Sequence, residues 1–304
     1  VNSSFVLVLL TGLGWGLLAP ASKALFHDAP GLDGFSLAVA RATWAFPFFL
    51  IMLALAWRAN PPHLEKRRWA AAIGAGLVFG LVVSTVFTIA AQHTSIAHIS
   101  FIVGITPVTN TVFAALCFRT RLDLRSLLAL AFGVVGVVLL AFTQHGGSAT
   151  MLGDSLMLVW LVGFAAYAIL LRAIGPGVSS TFVMAFVGTI SMGVLIVPGI
   201  LLGYGHGILA VISSPLAGAW FFGEVVIGST LVGQTAYAAA VRRLGVSLAT
   251  IGAEYIALFV GVVASLATHE AWTPLTIVAG ATFCVALAVT FAPLPFLKTA
   301  PKFT

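Results

Sequence analysis

Thr106, Asn110 and Phe113 follow one another at spacings of four and three residues, which stacks a hydroxyl, an amide and an aromatic ring on one helical face. Ser84 and Thr88 repeat the device with Thr85 beside them, Gln234 and Tyr237 flank a single turn, and Trp15, Trp160 and Tyr167 add large rings. Such residues build a pocket wall, aromatic with a few hydrogen-bonding groups, suited to a mid-sized and partly apolar solute. The alternative is that Ser, Thr, Asn and Gln bond from helix to helix, which in a membrane contributes only about 0.6 kcal/mol each. Glu254 shares a stripe with Ile251, Leu258 and Gly261. It either carries a coupling proton, pairs with a solute amine, or is a carboxylate hydrogen-bonded to a neighbouring helix. Glu224 poses the same choice closer to a chain turn, where hydration alone would satisfy it. Arg41 either holds a solute carboxylate or closes an ion pair with one of these glutamates, and Lys23 has a stem long enough to reach water from an apolar stretch.

Enzyme chemistry finds no foothold. There is no zinc-binding His/Glu pattern, no paired acidic motif for magnesium and a diphosphate, and no glycine-rich loop before a Lys-Ser or Lys-Thr. The seven histidines are scattered over loops and helix ends, and Cys117 and Cys284 both fall in apolar runs. The expectation is a protein that is not an enzyme and takes no metal or cofactor.

Composition says what must position these residues. With 61% hydrophobic residues, 7% charged and a mean hydropathy of +1.14, the chain has too little polar surface to clothe a soluble globule, so the bilayer is its solvent. A crossing helix needs roughly 20 mostly apolar residues. Ten such runs are visible, at 5–26, 34–57, 69–91, 96–118, 124–142, 152–171, 181–203, 215–241, 246–268 and 274–297. Connections of about 3 to 12 residues leave no room for a soluble domain. The first run is too long for a secretory signal core and has no basic leader, so it reads as a permanent helix.

Of the 14 lysines and arginines, only Lys23 and Arg41 fall well inside apolar runs, Arg125 standing at the very start of the fifth. The rest lie after even-numbered runs or in the tail: Arg58, Lys66, Arg67 and Arg68; Arg119, Arg121 and Arg125; Arg172; Arg242 and Arg243; Lys298 and Lys302. Basic loops are retained in the cytoplasm, so both termini are expected there. The pI near 9.8 is then a topology signal, and no basic stripe interleaved with aromatics points to nucleic acid.

A shift of about 150 residues keeps apolar runs and turns in step, dividing the chain into residues 1–148 and 149–304, two five-helix repeats within one membrane domain. Five is odd, so the halves enter the membrane in opposite senses. The charges agree, since the loop around Arg67 is basic and its counterpart at 204–214 is not. An inverted repeat places its solute site near the bilayer midplane and favours alternating access. The alternative is that ten helices of similar length superpose roughly whatever their origin. Gly12 with Gly16, Gly76 with Gly80 and Gly199 with Gly203 offer small faces for close helix packing, and Pro20, Pro107 and Pro198 can kink a helix. Pro107, beside Thr106 and Asn110, is the choice for a functional hinge.

The run Gly14-Trp15-Gly16, Lys23, Arg41, the stretch Ile105-Thr-Pro-Val-Thr-Asn110 followed by Phe113-Ala-Ala-Leu116, and the two five-helix halves together resemble the drug/metabolite transporter superfamily, EamA type, over essentially the whole chain. Two departures stand out: Thr120 lies between two arginines where an acidic residue is often found, and Glu254-Tyr-Ile-Ala257 occupies a place where a proline is common. The resemblance implies an all-α integral membrane protein of ten transmembrane helices. It also implies a secondary transporter in the bacterial inner membrane that exports small metabolites, with amino acids, aromatic ones included, as the substrate class. Proton coupling through Glu254 or Glu224, with Arg41 as an ion-pair partner, is left open, as is a monomer or a homodimer. A channel or lipid scramblase, or an exporter of a nucleobase or drug, is the competing reading.

Overall fold

The computed structural model describes residues 3–118, 124–143, 150–175, 177–244 and 246–291. Arg119, Thr120, Arg121, His145, Lys298, Lys302 and the end of the last apolar run lie outside them, as do the side chains of Arg125 and Arg242. The described residues are helical throughout their regular structure, with no strand. We number the helices α1 (Ser3–Asp28), α2 (Gly34–Ala59), α3 (Lys66–His93), α4 (Ile96–Gly104 and Thr106–Phe118), α5 (Leu124–Phe142), α6 (Met151–Ile174), α7 (Ser180–Leu201), α8 (Pro215–Trp220, Phe221–Gly233 and Gln234–Leu244), α9 (Val246–Ala267) and α10 (Pro274–Phe291).

Each apolar run coincides with one of these helices. Seven are long and apolar enough to cross a bilayer alone, namely α1, α2, α3, α6, α7, α8 and α9. The two legs of α4 qualify together across a 41° bend at Ile105, while the qualifying parts of α5 and α10, Leu127–Phe142 and Pro274–Ala286, are shorter. The starts are set locally. Asp33 accepts from the Phe35 and Ser36 amides, and Ser95, Thr150, Ser179 and Ser214 cap α4, α6, α7 and α8, the last with Pro215 at its first position.

α1 lies against α8 and α9, α2 against α7, α3 against α6 and α7, α4 against α6 and α9, and α5 against α10. With lipid outside, exposed apolar residues such as Phe48, Ile51, Phe259 and Ile277 are the normal surface, and helices associate by close packing rather than by escape from water. Gly14 shows how close: a Cβ there would lie 2.5 Å from the Gly228 carbonyl oxygen. Gly12 and Gly16 meet α9 in the same way, and Gly76 and Gly80 meet α7. Gly199 also packs tightly, against Val39, but Gly203 does not. At φ 90° it takes the left-handed turn that follows α7 and has no neighbour within 4 Å, so the third small face reduces to a single glycine and a helix stop.

Two helices contain wide π turns, Phe79–Ser84 in α3 and Phe221–Gly233 in α8. Hydroxyls close the loosened ladder: Thr85 donates to the Gly80 carbonyl at 2.9 Å and Thr230 to the Val225 carbonyl at 2.6 Å, each reaching back five residues. π turns in α-helices concentrate at functional positions because they rotate the side chains that follow. Ser84 ends the first wide stretch and Gln234 follows the second.

Candidate functional site

Residues of α1, α2, α3, α4, α6, α8 and α9 line a cavity with about 460 Å³ of empty space. Its rings form a continuous wall. Trp15 sits edge-on to Phe164 at 5.6 Å, Trp160 stacks on Phe164 at 5.2 Å, and Phe87 reaches Trp160 at 6.0 Å. Tyr237 and Tyr167 back this wall. Tyr237 lies 4.8 Å from Trp15 with its hydroxyl 2.8 Å from Thr250, and Tyr167 lies 4.9 Å from Phe79.

Polar groups interrupt the wall at four places. Arg41, only 3% exposed, donates from Nε to Thr230 Oγ1 at 2.6 Å. Ser84 Oγ, Gln234 Nε2 and both carboxyl oxygens of Glu254 are buried and find no hydrogen-bond partner among the described residues. A base and an acid therefore share one apolar chamber with an amide and a hydroxyl, and three of these four side chains have bonding capacity to offer. Among the described residues no three His, Cys, Asp or Glu side chains group as a metal site would require.

Of the sequence-nominated residues, Trp15, Ser84, Trp160, Gln234, Glu254 and Arg41 line this cavity together. Tyr167 and Tyr237 stand one layer behind. Thr85, Thr88 and Thr106 are buried with their hydroxyls bonded to their own helix backbones, Thr88 to the Thr85 carbonyl at 2.9 Å and Thr106 to that of Val103 at 2.6 Å. Asn110 and Phe113 share a face, but on the second leg of α4, past the bend. That helix contributes Val103 from its first leg to the lining. Both amide atoms of Asn110 are buried without a hydrogen-bond partner among the described residues. Glu224 is not in the lining, and its Oε1 is buried without a hydrogen-bond partner among the described residues; it lies near enough to Arg41 for the two charges to interact. Pro107 stands two residues beyond the bend. Lys23 is half-buried close to Glu270.

Sequence reading passed over Leu18, Phe79, Val83, Phe87, Val103 and Phe164, which complete the lining. Phe79, Val83 and Phe87 recur every four residues, and Trp160, Phe164 and Tyr167 at four and three, so a stripe was visible; nothing in it separated a cavity wall from ordinary core. It also passed over a polar cluster nearer one end of the bundle. There His98 Nδ1 donates to Asp154 Oδ2 at 2.9 Å, and Thr94 donates to Asp154 Oδ1 at 2.5 Å.

Comparison with known proteins bears on the whole arrangement. No curated protein matches the chain significantly. A crystal structure of a protein 18% identical in sequence matches it with a TM-score of 0.60, covering 95% of this chain and 96% of that one, which establishes a shared fold. Residues 2–142 match the profile of the EamA-like transporter family, whose members are membrane transporters of small molecules. Residues 2–142 of this multi-pass helical membrane protein are thus similar to the EamA-like transporter family, consistent with the drug/metabolite transporter superfamily.

Proposed function

We propose that the chain is a secondary transporter that exports amino acids, aromatic ones included, across the bacterial inner membrane by alternating access. The observation that carries this reading is the cavity, where Arg41 and Glu254 face one aromatic chamber with Gln234 and Ser84. A buried polar group without a partner is disfavoured by about 1–3 kcal/mol. A chamber that keeps several is suited to a visitor that completes them. Arg41 suits a carboxylate, Glu254 suits an ammonium, and the rings of Trp15, Trp160 and Phe164 suit an apolar side chain, which are the three parts of an aromatic amino acid. An inverted repeat lets helices part to admit such a solute, as alternating access provides and a fixed pore does not.

The proposed architecture is ten spans in two inverted repeats, residues 1–148 and 149–304, with both termini in the cytoplasm. Helix pairing supports it. Exchanging the first five helices for the last five turns the α1–α8 contact into α6–α3, α1–α9 into α6–α4 and α2–α8 into α7–α3, and returns α2–α7, α4–α9 and α5–α10 to themselves. The π stretches fall in α3 and α8, each the third helix of its half. Glu254 and Glu224 are the groups through which protons would couple, with Arg41 as their counter-charge, and Pro107 is the hinge.

Efflux from proteoliposomes loaded with labelled amino acids, sugars or nucleosides tests the proposal. Saturable efflux of amino acids, altered by a pH gradient if protons couple, is expected. Flux that never saturates would point to a channel instead, and saturable flux of nucleosides alone would replace the substrate class.

A further inference from the structure

The polar cluster near one end of the bundle ties the two halves of the chain together. Asp154, on the first turn of α6, accepts from His98 Nδ1 and from the Thr94 hydroxyl. His98 Nε2 lies 3.1 Å from Thr143 Oγ1 just past α5. Thr150, the cap of α6, donates from both its amide and its hydroxyl to the His93 carbonyl, at 2.9 and 2.7 Å. Gly153 sits so close to the α3–α4 turn that a Cβ would meet the His93 carbonyl carbon at 2.6 Å. From the other side Glu270, between α9 and α10, receives the Ile96 and Ala97 amides on its two carboxyl oxygens at 2.8 and 3.0 Å. The start of α4 is thus held twice by residues of the second half.

These bonds lie roughly one to two helical turns from the cavity lining along the same two helices. His98 precedes the lining residue Val103 by five positions and Asp154 precedes the lining residue Trp160 by six, about 7.5 and 9 Å along α4 and α6. The α1–α2, α3–α4, α5–α6, α7–α8 and α9–α10 connections, which the proposed topology assigns to this face, hold no lysine or arginine. Parting α4 from α6 at this face breaks the bonds at Asp154.

We infer that His98, Asp154, Thr94 and Thr143 form a clasp that closes the cavity towards the face free of basic loops, and that these residues set the balance between the two access states rather than touching the solute. The inference rests on the transporter reading for its purpose, and its test does not need a substrate. In a chain with Cys117 and Cys284 replaced by serine, Ser84→Cys places a thiol in the cavity. A membrane-impermeant thiol reagent is then applied from either face to vesicles of known orientation.

Asp154→Asn is expected to raise labelling from the base-free face roughly tenfold, the scale of losing a buried charge-assisted hydrogen bond, and to lower labelling from the basic face. Thr94→Val, a milder change that serves if Asp154→Asn is not monodisperse, is expected to shift both rates in the same directions by about twofold. Unchanged rates in folded protein, or rates that rise together from both faces as simple loosening would produce, overturn the clasp. The same vesicles separate the two readings. Saturable amino-acid flux with no shift in labelling refutes the clasp alone. A labelling shift in a protein that moves no solute supports the clasp and refutes the transporter.

Discussion

The cavity and the clasp are both buried polar clusters, and α4 and α6 run through both, giving Val103, Trp160 and Phe164 to the first and His98 and Asp154 to the second, yet the two differ in how their polar atoms are matched. At the clasp, Asp154, Thr94, His98 and Thr143 find one another at 2.5 to 3.1 Å. In the cavity, Ser84, Gln234 and Glu254 hold polar atoms with no partner among the described residues. A matched buried cluster lowers the energy of one arrangement of helices, whereas an unmatched one leaves bonding capacity for something that comes and goes. The lesson is that burial alone does not mark a binding site in a membrane protein; unpaired polar atoms gathered around one space do.

Substitutions test the contrast, and the largest effect is expected at Arg41. Arg41→Met removes the sole basic group of the lining, and saturable flux should fall at least about a hundredfold, the scale of losing a buried charge partner. Flux within twofold of the parent would remove Arg41 from solute recognition. Trp160→Ala opens the stacked wall and should raise the half-saturating concentration of aromatic amino acids about tenfold while sparing small ones. An equal loss for both would assign Trp160 to packing instead.

Tyr237→Phe and Thr250→Val each delete the one hydroxyl pair that steadies the ring behind Trp15, and each should change flux only about threefold, with the double variant no worse than either alone. Additive effects would show that the two residues act separately. The smallest change is expected at Thr106→Val, whose hydroxyl bonds its own helix backbone, so thermal stability and flux should stay within about 0.5 kcal/mol of the parent. A strong loss of flux in folded protein would return the second leg of α4 to the site.

Much of the site was legible because ionisable and amide side chains are rare in spans, so Arg41, Gln234 and Glu254 announce themselves, as do Trp15 and Trp160. The triplet Thr106, Asn110 and Phe113 shows where face counting stops. It holds along one straight helix, and the 41° bend at Ile105 puts the triplet on a different axis from Val103. His98 and Asp154 lie 56 positions apart on different helices, so no local spacing joins them.

By itself the sequence determined the solvent of this protein, the place of its helices, the rhythm of its basic loops and the short roster of polar residues that spans contain. Only the tertiary structure decided which side of each helix looks inward. Val162 and Phe164, two residues apart on α6, are equally apolar to the eye, yet the first is 49% exposed and the second 2%. Lipid is as apolar as a protein core, so a membrane helix carries no contrast between its inner and outer faces for composition to reveal. The inward faces emerge when glycines let backbones touch and rings from distant helices meet across the space between them.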